Sequence, residues 1–432
     1  RLFFMPQTGF SFGAHALNSP EDCPPPNGTG KELQMQYNFD EIISRKNTSS
    51  LRWDTVWQKY GEPDLIPLTT ADMDFRTAPA VIHALREAVE RGIFGYPAAM
   101  DGYFEAVMER MEQFRGWHVD RDWICRSPGI VNGVAYIIQG LTKPGDRIVL
   151  PSPMYHPFAH LIADNGRELS RTSMILRDGR YELDFQDLEK KLADSRASLL
   201  IFCSPHNPSG RVFTRSELEQ VIRLCHRHQV LLLCDEIHSD FCFSGHPFVS
   251  AGQAAREMGS EYEQNLIVCT SASKSFNIAG LQNSDILIPN PSNRAAYNRV
   301  LTSQHLMSCN YLGILATEAA YRGGQDWLEA VTAYLEENRN YLIDFISKNC
   351  NPIGTIIPQA TYMAWLDCRG LSMTEGELEQ FFIHQARVGV NMGGTFGPEG
   401  EGFVRLNFAC PRTLLAEALK RIASALDTRA DE

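Results

Sequence analysis

The sequence predicts an α/β protein: a three-layer sandwich with a mostly parallel sheet, plus a smaller α+β domain. Short apolar runs of strand length alternate with amphipathic helical stretches from about residue 78 to residue 310. Beyond residue 310 the pattern changes to long helices with few strands. Alternating strands and helices indicate a parallel sheet covered on both faces, and the change of pattern marks the smaller domain.

The helices are predicted from apolar residues at helical spacing and from the residues at their ends. Residues 79–92 carry proline near the start and glycine at the end, and a similar stretch covers residues 101–116. The stretch 214–229 opens with Thr214 and Glu217, which have the spacing of a capping box. Three more helices are expected over residues 327–348, 374–387 and 414–426.

The strands are predicted from short apolar runs that are bounded by polar or turn residues. Five runs fall in the larger domain, at residues 147–150, 198–203, 230–234, 266–269 and 285–288, and two in the smaller one, at 362–366 and 403–408. The chain then divides into an extended arm or leader (1–36), a segment joining the small domain (37–78), a large domain (79–310) and a small carboxyl-terminal domain (311–432).

Composition excludes several classes of function. The net charge of -12 argues against binding to a nucleic acid or an anionic membrane, and no apolar run approaches the roughly 20 residues of a membrane span. The 11 cysteines stand singly, without a C-x-x-C pair, as in proteins of a reducing compartment. His156 and His160 are four residues apart, but Pro157 stands where a zinc protease needs glutamate, so no metal is expected. A cytoplasmic protein is predicted.

Three successive predicted strands end in polar residues that a single cofactor would need together. The strand ends deliver Asn207, Asp235 and Lys274, and ligands of open α/β sheets bind at the carboxyl ends of strands. Singly, these residues are typical of a turn, a helix cap and a solvated charge. As a set they meet the needs of pyridoxal phosphate: a lysine for a Schiff base, a carboxylate for its ring nitrogen and donors for its oxygens.

The order Asn207, Asp235, Lys274, Arg405 resembles the fold-type I pyridoxal-phosphate enzymes of the class I/II aminotransferase superfamily. The resemblance is closer to the branch of cystathionine β-lyases and cystalysin-type carbon–sulfur lyases, and it covers roughly residues 37–427. The matching stretches are YNFD (37–40), SLRWD (50–54), ADMDF (71–75), FGY (94–96), PMYHPF (153–158), SPHNPSGR (204–211), DEIHSD (235–240), SKSFNIAG (273–280) and GFVRLN (402–407). The resemblance implies a large domain like that of aspartate aminotransferase.

The resemblance also implies roles around the cofactor ring. Lys274 forms the Schiff base and, once displaced by the substrate amine, becomes the base that removes the Cα proton. Asp235 keeps the pyridine nitrogen protonated, and Asn207 donates to the phenolic oxygen. Tyr155 stacks on the ring, and His238 belongs to the cofactor site. His238 and Gln282 stand where many aminotransferases have tyrosine and a phosphate-binding arginine, and both departures agree with the lyase branch.

The phosphate and the substrate have their own implied ligands. Gly129, Ile130 and Val131 at a helix start, with Ser271 and Ser273, hold the phosphate. Tyr96 reaches the phosphate of the neighbouring subunit's site, which makes the active unit a homodimer and Tyr96 a catalytic residue. The substrate amino acid is bound by Arg405, Asp72 and Asn207, with Arg405 gripping the α-carboxylate as a bidentate fork.

The leading hypothesis is α,β-elimination of cystathionine or a cysteine S-conjugate to pyruvate, ammonia and a thiol. The alternative is an aminotransferase acting on an L-amino acid, since the same residues serve both reactions. A regulatory binding protein without catalysis is the third hypothesis, and the complete set of cofactor residues argues against it. The glycine-rich segment 389–402 lacks the spacing of a dinucleotide site and is expected to form a loop at the mouth of the active site.

Overall fold

The computed structural model describes residues 37–62, 64–306 and 309–430, so the predicted arm over residues 1–36 lies outside the described residues. Every predicted helix and strand has a counterpart, with bounds shifted by a few residues. The division of the chain at residues 78 and 310 stays a prediction. Helix Tyr311–Gly323, just beyond the second boundary, packs against helices Pro79–Arg91 and Asp101–Arg115.

An eight-stranded mixed sheet forms the centre of the protein. Its strand order is β2-β9-β8-β7-β6-β3-β4-β5, and all strands except β9 and β5 run in one direction. The carboxyl ends of the six parallel strands therefore meet at one edge. The strands are β2 (Ile124–Ser127), β3 (Arg147–Ser152), β4 (Glu168–Arg177), β5 (Arg180–Leu183), β6 (Ala197–Cys203), β7 (Leu231–Asp235), β8 (Leu266–Thr270) and β9 (Ser284–Leu287), preceded in the chain by the short β1 (Ile66–Pro67).

The central strands are apolar throughout because both faces of the sheet are covered. Along β6, Leu200 and Phe202 join one hydrophobic core, whereas Leu199 and Ile201 join a second core on the opposite face. Successive residues of a strand point to opposite faces, so two cores imply two covering layers. This arrangement confirms the predicted three-layer sandwich.

Fifteen helices of the described residues surround this sheet and build the smaller unit. The predicted capping box is present, since Thr214 and Glu217 each bond the other's backbone N–H. The helices are α1 (Asp54–Tyr60), α2 (Pro79–Arg91), α3 (Asp101–Arg115), α4 (Ile130–Leu141), α5 (His156–Asp164), α6 (Phe185–Leu192), α7 (Arg215–Arg227), α8 (Ala251–Met258), α9 (Ser260–Glu263), α10 (Ala272–Ser275), α11 (Pro291–Ser303), α12 (Tyr311–Gly323), α13 (Gln325–Asn349), α14 (Glu375–Gln380) and α15 (Arg412–Ala430).

The smaller unit is built on a four-stranded antiparallel sheet of order β10-β11-β14-β13. Its strands are β10 (Gly354–Ile356), β11 (Met363–Asp367), β13 (Asn391–Met392) and β14 (Phe403–Asn407), while β12 (Val388–Gly389) pairs separately with β1. Phe39 and Leu68 pack in one core with Leu335 and Leu406, so the amino-terminal segment contributes to this unit.

Two local predictions differ from the structure. The strand expected at residues 285–288 is β9, which runs antiparallel to both neighbours, because an apolar run carries no information on strand direction. The single helix expected over residues 374–387 is the short α14 followed by a π-helical turn, Phe381–Gln385. That wider turn carries three consecutive buried residues, Phe381, Phe382 and Ile383, and the helical spacing of apolar residues does not distinguish a π-helical turn from a regular one.

Candidate active site

A cavity of about 520 Å³ lies at the carboxyl edge of the large sheet. Loops that follow β2, β3, β6, β7 and β8 reach it because these strands run in the same direction. The structure brings nine of the predicted site residues to its wall, which are Gly129, Ile130, Val131, Tyr155, Asn207, Asp235, His238, Ser273 and Lys274. Asp72, Tyr96, Ser271 and Arg405 lie outside that wall.

Lys274 projects into the cavity from the four-residue helix α10, which follows β8. Ser271 caps this helix by accepting a hydrogen bond from the Ser273 N–H at 3.0 Å. The Lys274 amine donates to the backbone oxygen of Ala71 at 2.6 Å. Burial and the nearby Arg405 guanidinium lower the pKa of Lys274, and Asp72 and Asp235 partly oppose them. A lowered pKa increases the fraction of neutral amine that can act as a nucleophile or base.

Asp235 ends β7 and is 4% exposed. One of its carboxylate oxygens accepts from the Ile237 N–H at 3.1 Å. Burial raises the pKa of Asp235 to about 7, although that hydrogen bond and the Lys274 ammonium both act to lower it. A cation bound against this carboxylate would favour its ionised form, so the site is suited to a protonated ring nitrogen.

Arg405 lies on β14 and is buried with its guanidinium beside Asn207. Its Nη1 donates to Asn207 Oδ1 at 2.9 Å, and its Nη2 donates to the Thr69 backbone oxygen at 3.1 Å and to Asn391 Oδ1 at 2.8 Å. The Nε–H has no partner among the described residues, and Phe396 lies against the guanidinium at 4.9 Å. A buried Nε–H that is left unpaired in this way is suited to a carboxylate oxygen.

The amino end of helix α4 closes the cavity on one side. Gly129 precedes this 12-residue helix in an extended conformation, and Ile130 and Val131 form its first turn. The first N–H groups of a helix have no acceptor within the helix and carry partial positive charge, so they favour an anion. Ser273, Asn132 and Gln282 also line the cavity. This group of donors supports the predicted phosphate site.

Ser271 is not among the residues that line the cavity, and its direct contact with the phosphate stays a prediction. Its hydroxyl donates to the Asn283 backbone oxygen at 2.8 Å and accepts from the Ser273 N–H. Both interactions fix the loop that carries Lys274. In this structure Ser271 therefore supports the position of the lysine, while Ser273 is the serine on the cavity wall.

Tyr155 and His238 contribute rings to the cavity. The Tyr155 ring packs edge-on against Phe158 at 5.4 Å, and the His238 ring packs edge-on against Tyr362 at 5.7 Å. Burial lowers the pKa of His238 to about 3, aided by Lys274 and Arg405, so this ring is neutral at physiological pH. Its Nδ1 has no partner among the described residues.

Asp72 sits in a network of four charges beside the cavity rather than on its wall. Arg45 bonds Asp72 at 2.7 Å and Asp74 at 2.9 Å, and the fully buried Arg52 lies 3.5 Å from Asp72 and 3.3 Å from Asp74. Two guanidinium groups thus occupy the Asp72 carboxylate, and its direct contact with a substrate stays a prediction.

Tyr96 lies on the surface, in a segment without regular structure, and its side chain is fully exposed. Ile93, Phe94 and Met100 in the same segment are also exposed. Within this chain the Tyr96 side chain therefore does not reach the cavity.

Sequence patterns missed three residues that shape the site. Ala71 contributes a backbone oxygen to Lys274, Tyr362 donates to the same oxygen at 3.1 Å, and Asn391 holds Arg405. None of them follows a predicted strand of the large sheet. Ala71 stands in the quoted ADMDF stretch and Tyr362 begins a predicted strand, but nothing local distinguishes them as site residues. Asn391 falls in the predicted glycine-rich loop, which forms β13 and two 3₁₀ turns.

The donors and acceptors of the cavity fit pyridoxal phosphate. Lys274 and Asp235 face the same cavity, Asn207 has a free NH₂ beside them, and a helix amino end supplies donors for a phosphate. The described residues contain no cluster of side chains that could hold a metal ion. In the described ranges, moreover, no helix combines the length and the apolar character that a membrane crossing requires.

Both the sequence of this chain and its fold are similar to those of known proteins. The family model for aminotransferase class I and II matches residues 63–422. Cystathionine beta-lyase PatB of Bacillus subtilis is 38% identical over 392 residues, which cover 90% of this chain and 100% of the relative. The crystal structure of cystalysin from Treponema denticola, which contains pyridoxal 5'-phosphate, has a TM-score of 0.88 at 33% identity, covering 91% of this chain and 99% of that one. The PLP-bound C-S lyase of Staphylococcus hominis has a TM-score of 0.84 at 33% identity, covering 90% and 98%.

Proposed function

Because the chain belongs to the class I and II aminotransferase family, we propose that it is a pyridoxal-phosphate-dependent carbon–sulfur β-lyase. Its substrates are cystathionine or other cysteine S-conjugates, and its products are pyruvate, ammonia and a thiol. The observation that carries the proposal is the meeting of Lys274 and Asp235 in one cavity, with Arg405 bonded to Asn207 on its wall. The similar proteins named as cystathionine or C-S lyases favour elimination over transamination.

Pyridoxal phosphate, when bound, supplies a carbonyl carbon that takes the amino group of the substrate and a ring that accepts the electron pair left at Cα. Lys274 first holds the cofactor and then removes the Cα proton. Because burial and Arg405 lower its pKa, a larger fraction of the amine is free to accept that proton. Asp235 keeps its negative charge against the ring nitrogen.

Arg405 and Asn207 orient the substrate. The unpaired Nε–H of Arg405 grips an oxygen of the α-carboxylate, while Asn207 uses its NH₂ for the cofactor oxygen. This grip holds the Cα–H toward Lys274. After Lys274 has taken the proton from Cα, the thiolate leaves Cβ, and water then converts the unsaturated product to pyruvate and ammonia. A thiolate is a good leaving group because the pKa of a thiol is low, near 8.5.

A homodimer completes the proposed site. Ile93, Phe94, Tyr96 and Met100 place large apolar side chains on the surface of one short segment, and exposed apolar patches mark interfaces. We place this segment against a second copy of the chain, where Tyr96 reaches the phosphate of the neighbouring site. The ten cysteines of the described residues are free, which supports a reducing compartment and a cytoplasmic location.

The purified protein, loaded with pyridoxal phosphate, tests the proposal on cystathionine without any 2-oxo acid. We expect pyruvate, ammonia and thiol in equal amounts, and none of them from Lys274→Ala. S-Methylcysteine in parallel shows whether other sulfur conjugates react. Amination of an added 2-oxo acid without pyruvate release from cystathionine would instead establish an aminotransferase and refute the lyase.

A further inference from the structure

The backbone oxygen of Ala71 accepts two hydrogen bonds from side chains that are far apart in sequence. The Lys274 amine donates over 2.6 Å, and the Tyr362 hydroxyl donates over 3.1 Å. A carbonyl oxygen has two lone pairs, so these donors use both. The amine of Lys274 and the hydroxyl of Tyr362 thus meet at one atom.

Tyr362 is held rigidly in this position. Its side chain is completely buried, with Phe241 edge-on at 5.1 Å and His238 edge-on at 5.7 Å. The preceding Thr361 has a φ of +70°, and its N–H donates to the Phe241 oxygen at 2.8 Å. A left-handed threonine is unfavourable in an isolated chain, so the surrounding packing fixes the turn that aims the Tyr362 ring.

The Ala71 peptide is held from the other side. Asn407 donates from one NH₂ group to the backbone oxygens of Thr70 at 2.6 Å and Asp72 at 2.7 Å. The buried Arg52 adds a hydrogen bond to the Asp72 oxygen at 3.1 Å. The carbonyls that flank Ala71 are therefore fixed, and the Ala71 oxygen points to Tyr362 and Lys274.

We propose that Tyr362 is a positioning residue for Lys274, because its hydroxyl fixes and partly occupies the Ala71 oxygen that receives the amine. The inference rests on the proposed role of Lys274. Tyr362 gives its single proton to Ala71, so it has no proton to give to the lysine or to a substrate. Its donation also withdraws electron density from that oxygen, which makes it a weaker acceptor for the ammonium form. The hydroxyl thereby favours the neutral amine that the reaction needs.

Other groups that face Lys274 also influence its pKa. Asp72 and Asp235 favour the ammonium form, while burial and Arg405 favour the neutral amine. Tyr155 and His238 line the same cavity, and both are uncharged because burial raises the pKa of the tyrosine and lowers that of the histidine. Tyr362→Phe leaves all of these groups in place and removes one hydrogen bond.

The test measures the reactivity of Lys274 in cofactor-free, full-length protein, by competitive acetylation with acetic anhydride at a series of pH values and peptide mass spectrometry. In Tyr362→Phe we expect the pH midpoint of labelling to rise by about 0.5, which is a threefold smaller neutral fraction below the midpoint. Uptake of added pyridoxal phosphate is expected to slow about threefold at the same pH.

Two further variants keep the outcome clear. Tyr334→Phe removes another buried tyrosine hydroxyl, which donates to Asp40, and is expected to leave the midpoint unchanged. Site-specific 3-fluorotyrosine at position 362 retains the ring and strengthens the donor, so the midpoint is expected to fall. An unchanged midpoint in both position-362 variants would overturn the proposal. The labelling needs no lyase activity, so a negative cystathionine assay would count against the proposed function alone.

Discussion

The guanidinium of Arg405 donates to the side-chain oxygen of Asn207 over 2.9 Å, and this bond decides how the Asn207 amide faces the cavity. Since the oxygen is bound by Arg405, the NH₂ group is left for another acceptor. A residue of the smaller unit thereby orients a residue at a strand end of the large sheet. One contact links the binding of the substrate to the binding of the cofactor.

Asn207→Asp tests this link. The new carboxylate would still accept from Arg405 but would lack the NH₂ donor, so the cofactor oxygen would lose its hydrogen bond and face a negative charge instead. Hydrogen bonds to charged groups contribute about 1.5–3 kcal/mol, and we expect kcat/KM for cystathionine to fall about 100-fold. Asn290→Asp, at the start of helix α11, is the matched control and is expected to change little. A kcat/KM within about threefold of the wild type would contradict the prediction.

Arg405→Lys separates binding from chemistry. A lysine ammonium cannot reproduce the planar guanidinium, whose Nε–H is left for the substrate while its two Nη groups hold Asn207, Asn391 and the Thr69 oxygen together. We expect KM for cystathionine to rise at least about 30-fold, with a smaller effect on kcat. The surface variant Arg421→Lys serves as the control. An unchanged KM would show that the carboxylate binds elsewhere.

Asp235→Asn makes a prediction on stability and pH in the cofactor-free protein. Burial raises the folded pKa of Asp235 to about 7, above the unfolded value of about 3.9, so the folded state binds this proton more tightly. The free energy of unfolding of the wild type therefore falls as the pH rises from about 4 to about 7, and it stays low above pH 7.

An asparagine at position 235 does not ionise, so its burial does not destabilise the folded protein at high pH. We expect Asp235→Asn to be more stable than the wild type at pH 8 by about 2–4 kcal/mol and nearly equal at pH 4, in urea unfolding without cofactor. Saturating pyridoxal phosphate should reverse the order at pH 8, because its ring cation needs the carboxylate. A variant that is less stable than the wild type at pH 8 without cofactor would contradict the prediction.

Asp240→Asn tests a buried charge cluster next to the lysine helix. Asp240 is paired with Arg110 and Arg115, and the hydroxyl of Ser275 donates to its carboxylate. Burial opposes ionisation, but the two arginines and the hydroxyl outweigh it and hold the pKa of Asp240 well below its usual value. We expect the variant to lose about 3–5 kcal/mol of unfolding free energy at pH 7, since two buried guanidinium groups lose their partner.

The contribution of Asp240 to the free energy of unfolding depends on pH with the opposite sign to that of Asp235. The folded pKa is depressed, so the stabilisation is complete above the unfolded value of about 3.9 and is lost as the pH falls toward the folded one. The difference between variant and wild type should be constant from pH 5 to pH 8 and shrink below pH 4. The exposed Asp344→Asn is the control. Equal unfolding curves at pH 7 would refute the cluster's role.

Mixing two inactive variants tests whether Tyr96 of one subunit contributes to the active site of the other. Lys274→Ala and Tyr96→Ala are each expected to be inactive or nearly so as homodimers. In a mixed dimer one site combines both defects, and the other has a wild-type Lys274 and a wild-type Tyr96. Unfolding and refolding an equal mixture should restore about a quarter of wild-type activity. No recovery, with mixed dimers present by mass spectrometry, would place Tyr96 outside the neighbouring site.

Local patterns were enough to predict the parts of the site that stand at strand ends. Asn207, Asp235 and Lys274 each follow an apolar strand, and parallel strands bring their carboxyl ends together. Such patterns could not predict that β9 is antiparallel to its neighbours, because an apolar run looks the same for a parallel and an antiparallel strand. The hydrogen bond from Lys274 to Ala71 was also unpredictable, because every residue has a backbone oxygen whatever its side chain. Ser271 could be assigned to the loop but not to its supporting role.

The site draws on residues near both ends of the described chain, as the hydrogen bond from Arg405 to the Thr69 oxygen shows. During synthesis the strands of the large sheet leave the ribosome well before β14, so they can pair while the carboxylate-binding arginine is still untranslated. A chain truncated before β14 would keep Lys274, Asp235 and Asn207 but would have no grip on an amino acid. Because Arg405 also orients the Asn207 amide, and Asn407 holds the carbonyls on either side of Ala71, the cofactor side of the site takes its final form only after β14 has been translated.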